Sequence, residues 1–171
     1  EAIDELIVPV SIQNKRILIV DDNKTNRLVL KEQLKSWNCS KYDEAPDGIK
    51  ALKMLRKAAN TNTPYSIAII NMQIPLMDGE NLGRNIKNDS LIKDTTLVML
   101  SSLGLRGDSA TMKEIGFSAY LTKPIRSSQL YDCLVTITKQ KQKADTNSLS
   151  SIVTKHTLAE NKKRKLRLLI A

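Results

Sequence analysis

Residues 66–79, SIAIINMQIPLMDG, constrain the fold more than any other stretch of the chain. They open on Ile67-Ala68-Ile69-Ile70, an apolar run with the length and β-branching of a buried strand. They close on Ile74-Pro75-Leu76-Met77-Asp78-Gly79, where proline and glycine force a loop. Asn71 lies between the two, at the carboxyl end of the strand, the edge where open α/β sheets gather their chemistry.

Strands of the same kind recur along the chain. Arg16-Ile17-Leu18-Ile19-Val20 is almost uninterruptedly apolar and stops at Asp21-Asp22-Asn23. Residues 24–37 read as a helix with Leu30, Leu34 and Trp37 on one face and Asn23 as its cap. Residues 41–45 are a weak strand, and Pro46-Asp47-Gly48 opens a helix with Ile49, Leu52, Leu55 and Ala59 along one side. A short helix at 80–88 turns Leu82 and Ile86 inward. Residues 95–100 form a strand ending at Ser101-Ser102, and a helix at 106–115 stops at Gly116. A strand at 119–121 runs into Thr122-Lys123-Pro124, and Ser127 or Ser128 caps a last helix carrying Leu130, Leu134 and Ile137. Five strands alternating with five helices predict a doubly wound parallel α/β sheet. With strand order 2-1-3-4-5, Asp21, Asp22 and Asn71 meet at one edge beside Ser101 and Lys123. Periodicity predicts the sheet but not that order.

The formal charge of +9 suggests nucleic acid until it is located. Residues 139–171 hold nine Lys or Arg against Asp145 and Glu160, so only +2 remains on residues 1–138. Lys162-Lys163-Arg164-Lys165 reads as solvated linker, and the expectation is no nucleic-acid partner; salt-sensitive binding lost on truncation near residue 140 would be the opposing sign. His156 lies in the same polar stretch, with no helical bundle around it to make a phosphotransfer site. Apolar runs fall short of the ~18–20 residues of a membrane span, and the acidic start has no basic region of a signal peptide. The chain is expected to be cytoplasmic, without membrane contact, and Cys39 and Cys133 to be reduced structural thiols. Residues 1–15 read as an N-terminal linker, 16–140 as the domain, and 141–164 as a basic, polar linker whose first residues could extend the last helix. Residues 165–171 echo the first strand and read as the cut-off start of a second such domain.

Ile17-Leu18-Ile19-Val20-Asp21-Asp22-Asn23, Met72-Gln73-Ile74-Pro75-Leu76-Met77-Asp78-Gly79, Leu100-Ser101-Ser102 and Ala119-Tyr120-Leu121-Thr122-Lys123-Pro124-Ile125 together resemble the receiver domain of two-component response regulators. The resemblance covers about residues 16–138, with the motifs in family order. It implies a flavodoxin-like fold that takes a phosphoryl group from a phosphohistidine onto an aspartate. By that resemblance, Asp21, Asp22 and the backbone carbonyl of Gln73 are the Mg²⁺ ligands, a hard cation's oxygen set. Ser101 matches the hydroxyl that bonds the phosphoryl group, and Lys123 the lysine that neutralises it. Tyr120 matches the aromatic switch residue, and Lys123-Pro124 the family's often cis peptide. Lys24, Asn26 and Arg27 match positions lining the mouth of the site.

Asn71 departs from the family, standing where the acceptor aspartate belongs. Attack on phosphorus needs a carboxylate, and a neutral amide oxygen is a far poorer nucleophile. One negative charge is also lost, so Mg²⁺ binding should weaken while Asp21 and Asp22 remain. Asp78 is a tempting substitute but is expected to cap the next helix. The leading expectation is a pseudo-receiver, not an enzyme, the first of tandem receivers in a hybrid histidine kinase. Its expected partners are a histidine kinase domain, a neighbouring receiver or a phosphotransfer domain. They would meet the family's fourth-helix, fifth-strand and fifth-helix face, roughly residues 106–138, which could also form a homodimer. The alternative is a normal phosphoacceptor receiver in which residue 71 was changed from aspartate to make an inert form.

Overall fold

The computed structural model describes residues 10–102 and 108–144. Along the chain run α1 (Val10–Gln13), β1 (Ile17–Val20), α2 (Lys24–Ser36), β2 (Tyr42–Ala45), α3 (Gly48–Asn60), β3 (Ile67–Asn71), α4 (Gly79–Asn88), β4 (Thr96–Ser101), α5 (Asp108–Ile115), β5 (Ala119–Thr122) and α6 (Ser127–Ala144). The five strands form one parallel sheet in the order β2-β1-β3-β4-β5, the flavodoxin-like arrangement. β3 is buried throughout and central, with Ile70 opposite Val20 on one side and Met99 on the other. Its apolar run is continuous because both faces of the sheet are covered.

Strand alternation sends successive side chains to opposite faces. Ile17, Ile19, Ile67, Ile69, Val98 and Leu100 pack with Leu30 and Leu34 of α2 and Leu130, Leu134 and Ile137 of α6. Leu18, Val20, Ala68, Ile70, Leu97 and Met99 pack with Leu52 and Leu55 of α3, Leu82 and Ile86 of α4, and Met112 of α5. Trp37, just past α2, meets Tyr131 of α6 with ring centroids 5.3 Å apart. Cys39 and Cys133 are free and buried; burial raises both thiol pKa values, that of Cys133 to about 12.

Four expectations change. Val10–Gln13, inside the stretch read as linker, form α1, and Ile12 is fully buried against the α2–α6 layer. The inward side of α3 is Gly48, Ala51, Leu52, Leu55 and Ala58; Ile49 is 44% exposed because Gly48 turns inward instead, against Met77. α6 begins at Ser127 rather than after a serine cap, and Gln129 Oε1 accepts from the Arg126 backbone N–H at 3.3 Å. That helix runs on to Ala144, past residue 140. α5 starts at Asp108; residues 106 and 107 lie outside the described residues, as do the 145–164 stretch, His156, the Lys162–Lys165 run and the proposed second strand at 165–171.

Candidate functional site

The carboxyl ends of β1, β3, β4 and β5 converge on Asn71. Asp21 follows β1 and is 1% exposed, while Asp22 beside it is open to solvent. The turn after them is fixed by short side-chain bonds. Asn23 caps α2, its Oδ1 accepting from the Thr25 and Asn26 backbone N–H groups at 2.8 and 3.2 Å. Asp21 Oδ1 accepts from the Asn23 backbone N–H at 2.9 Å. The Asn26 amide donates to both oxygens of Asp21, at 3.3 and 3.2 Å.

Lys123 arrives from β5. Its backbone N–H donates to the Ser101 carbonyl at 2.7 Å, and the Lys123-Pro124 peptide is cis, as the resemblance implied. Its Nζ donates to Asn71 Oδ1 at 2.9 Å and lies 3.4 Å from Asp21 Oδ2. On the other side, Asn71 Nδ2 donates to the Gln73 carbonyl at 2.7 Å. The orientation of the amide follows from chemistry: an ammonium only donates and a carbonyl only accepts, so the oxygen must face Lys123 and the nitrogen Gln73. A charge-assisted bond of this kind contributes about 1.5–3 kcal/mol. Gly79 passes directly beneath; a Cβ there would stand 2.8 Å from the Asn71 carbonyl oxygen and 3.0 Å from Met72 Cα.

Ser101 is 1% exposed at the end of β4, and Tyr120 is 6% exposed, turned into the layer of α3, α4 and α5. Asp78 caps α4, its Oδ1 accepting from the Asn81 backbone N–H at 2.8 Å, which accounts for it without a chemical role. Asp22, Asp78 and Glu80 border an open cleft with Gln73 and Pro75. Thus Asp21, Asn71, Ser101 and Lys123 gather at one edge, with Gln73 presenting its carbonyl to it and Tyr120 buried nearby in the sheet.

Arg27 does more than line a mouth. Its Nη1 donates to the carbonyls of Asp21 and Asp22 at 2.7 and 3.0 Å, and Nε lies 3.5 Å from Glu44 Oε2. Lys31 Nζ stands 2.8 Å from the same Glu44 oxygen, and this ammonium, ahead of Arg27, lowers the Glu44 pKa. Neither Glu44 nor Lys31 is singled out by the motifs of the sequence. The available signal is the like-charged pair Arg27 and Lys31, one helical turn apart, which repel unless an acid sits between them. Lys24 is exposed at the start of α2.

The Mg²⁺ set implied by the resemblance is Asp21, Asp22 and the Gln73 carbonyl. In this arrangement the Gln73 oxygen accepts from the Asn71 amide, and Asp21 accepts from Asn23, Asn26 and Lys123. Among the described residues no group of three His, Cys, Asp or Glu side chains could hold a metal ion. Asp21 and the Gln73 carbonyl are thus already engaged by protein donors while the Asp22 carboxylate faces solvent, an arrangement consistent with no more than a weak Mg²⁺ site.

Comparison with known proteins agrees with the architecture. The response regulator receiver domain family matches residues 17–135. Chemotaxis protein CheY-3 of Vibrio cholerae is 30% identical over 122 residues, spanning 71% of this chain and 90% of that protein. The receiver domain of the sensor histidine kinase PA1611 from Pseudomonas aeruginosa, solved with a magnesium ion in its active-site cleft, superposes with a TM-score of 0.63 at 24% identity, over 73% of this chain and 98% of that one. The receiver domain of the histidine kinase CKI1 from Arabidopsis thaliana, complexed with Mg²⁺ and BeF₃⁻, gives a TM-score of 0.65 at 24% identity, over 75% and 92%. The family match, the sheet order and the gathering of Asp21, Asn71, Ser101 and Lys123 agree: this chain belongs to the response regulator receiver domain family.

Proposed function

We propose that this receiver is a two-component signalling module that accepts no phosphoryl group and works by protein–protein contact within a hybrid-kinase phosphorelay. The observation that carries the reading is Asn71 at the acceptor position, its oxygen held 2.9 Å from Lys123 Nζ. A receiver acceptor needs an anionic oxygen that attacks phosphorus and stays bonded to it as an acyl phosphate. The amide oxygen is neutral, and the lysine draws on the lone pair it would use.

The module takes in α1 and the whole of α6, residues 10–144, followed by a linker to about residue 164 and, at 165–171, the start of a second receiver. A histidine kinase domain, a neighbouring receiver or a phosphotransfer domain docks on the face of α5, β5 and α6, the surface also available to a homodimer. The like-folded receivers of two histidine kinases are the precedent for a kinase-linked module. Ser101, Lys123 and Tyr120 are the phosphoryl-binding and switch positions of a site without its nucleophile.

One observation favours a second reading, an acceptor receiver in which aspartate was replaced: Asp21, Ser101 and Lys123 remain gathered around residue 71. The codon for residue 71 in the encoding gene separates the two histories. The chemical test is to incubate the chain and Asn71→Asp with a small-molecule phosphodonor and Mg²⁺, then weigh the intact proteins. No adduct on the chain itself is the expected result, and a phospho-adduct on it overturns the proposal. Adduct on Asn71→Asp alone would show that only the nucleophile is missing.

A further inference from the structure

The hydrogen bonds of residue 71 can be set against those an aspartate would make at the same place. A carboxylate offers two acceptor oxygens and no donor. One would take the Lys123 ammonium. The other would face the Gln73 carbonyl, oxygen against oxygen, in a site that is 8% exposed at residue 71. Such a contact is repulsive unless a cation or a proton stands between the two oxygens. Asparagine removes the conflict, because the group that faces Gln73 is now an N–H donor at 2.7 Å.

We propose that the Asn71 carboxamide takes over the bridging task of the divalent cation, so that this receiver assembles and holds its site without a metal. This rests on the reading of Asn71 as a non-accepting residue, and deepens it. The amide ties the end of β3 to its own following loop through Gln73 and to β5 through Lys123. Asp21 is served in the same way, by the Asn26 amide and the Lys123 ammonium rather than by an ion. The site is thereby fixed in one arrangement whatever the Mg²⁺ concentration. Its partners would meet the same surface with or without the ion.

The experiment compares thermal unfolding of the chain in EDTA and in millimolar Mg²⁺, alongside Asn71→Asp. The chain should melt at one temperature in both buffers. Asn71→Asp should melt lower in EDTA and recover in Mg²⁺, because the restored carboxylate charge lets it bind an ion that the parent does not. Mn²⁺ should broaden the backbone resonances of residues 21, 22 and 73 in the variant and leave the parent's sharp. A melting temperature of the parent that rises with Mg²⁺, or saturable Mn²⁺ broadening in it, overturns the inference. So does an Asn71→Asp protein indifferent to Mg²⁺. If that variant does not fold, the parent's calorimetric Mg²⁺ titration decides alone: heat of saturable binding counts against the inference, none supports it. Failure here is separate from failure of the proposed function. Mg²⁺ binding without a phospho-adduct sinks only the metal claim, and an adduct on the parent sinks the functional reading.

Discussion

The two edges of the sheet carry polar clusters that are built alike, and only one of them should be. At the amino edge, charged groups are fully engaged in holding loops. Arg16 donates to Asp43 Oδ2 at 3.0 Å and to the Thr63 carbonyl at 2.7 Å, and its guanidinium lies 4.3 Å over the Tyr65 ring. Tyr65 OH donates to the same Asp43 oxygen at 2.8 Å. Lys87 reaches from α4 to the carbonyls of Lys93 and Thr95, 2.8 Å from each. The carboxyl edge of a phosphate-accepting receiver must instead keep an anionic oxygen available. With Asn71, donors and acceptors there close on one another as they do at the other edge. What separates a structural cluster from a reactive one is a lone pair left for an incoming atom, more than the residue types around it.

The largest effect should come from breaking the carboxyl edge from below. Gly79 is confined by backbone, since a Cβ would meet the Asn71 carbonyl oxygen at 2.8 Å and Met72 Cα at 3.0 Å. Backbone cannot rotate away as a side-chain tip can. Gly79→Ala should therefore destabilise the fold by about 1–3 kcal/mol and displace β3 at residue 71. Denaturant unfolding measures the first, and amide shifts of Asn71 and Lys123 the second. A variant of parental stability would show that the β3–α4 turn is looser than its contacts imply.

The amino edge can be sharpened by pH. Burial, with Lys141 nearby, lowers the Lys87 pKa from 10.5 to about 8. The unfolded chain then binds the extra proton between those values, so this group's contribution to stability rises with pH from about 8 to 10.5. Burial, with the hydrogen bond to Asp43, raises the Tyr65 pKa from 10.0 to about 12. Its contribution is complete below pH 10 and is lost as pH climbs towards 12. Stability measured against Lys87→Met should show the rise, and against Tyr65→Phe the fall, each about 1–2 kcal/mol after solvent screening. Parallel curves for parent and variant would mean that neither group is held as tightly as its contacts suggest.

Most of this architecture was legible from residues because parallel strands buried on both faces must be written as apolar runs, and each run here stops at its polar terminus. Ile17–Val20 and Ile67–Asn71 could hardly be read otherwise. The gathering of Asp21, Asn71 and Lys123 needed the family resemblance, since nothing local states which strands are neighbours. α1 was invisible for a physical reason. Four residues cannot display a helical period, and Ile12 is buried by the tertiary contact of α1 with the α2–α6 layer rather than by its own sequence. The inward side of α3 is offset by a residue from the apolar pattern, because Ile49 is the more apolar choice yet Gly48 is what fits against Met77. The role of Arg27 depends on Glu44 at the end of another strand, a pairing no helical spacing reveals.

The smallest effect concerns backbone. Left-handed conformations occur at both edges, and the residues given to them differ. Next to β2 and β3, at the amino edge, they fall on Asn38 and Asn62, with φ of 58° and 56°. At the carboxyl edge the position is Leu76, φ 69° and 81% exposed. Asparagine tolerates this region better than most side chains, whereas leucine gains nothing from it. Nor does Leu76 repay the strain by burial, because most of its surface faces solvent. Leu76→Asn should therefore stabilise the chain by up to about 1 kcal/mol, read as a small rise in denaturation midpoint with unchanged slope. If the variant is less stable, Leu76 makes a contact in the loop that outweighs its backbone strain, and the asymmetry between the edges is not one of conformational strain. If it is more stable, the carboxyl edge keeps a strained, exposed leucine at a measurable cost to the fold. Leucine would then be a residue the fold alone does not favour, beside a site whose own hydrogen bonds are already closed.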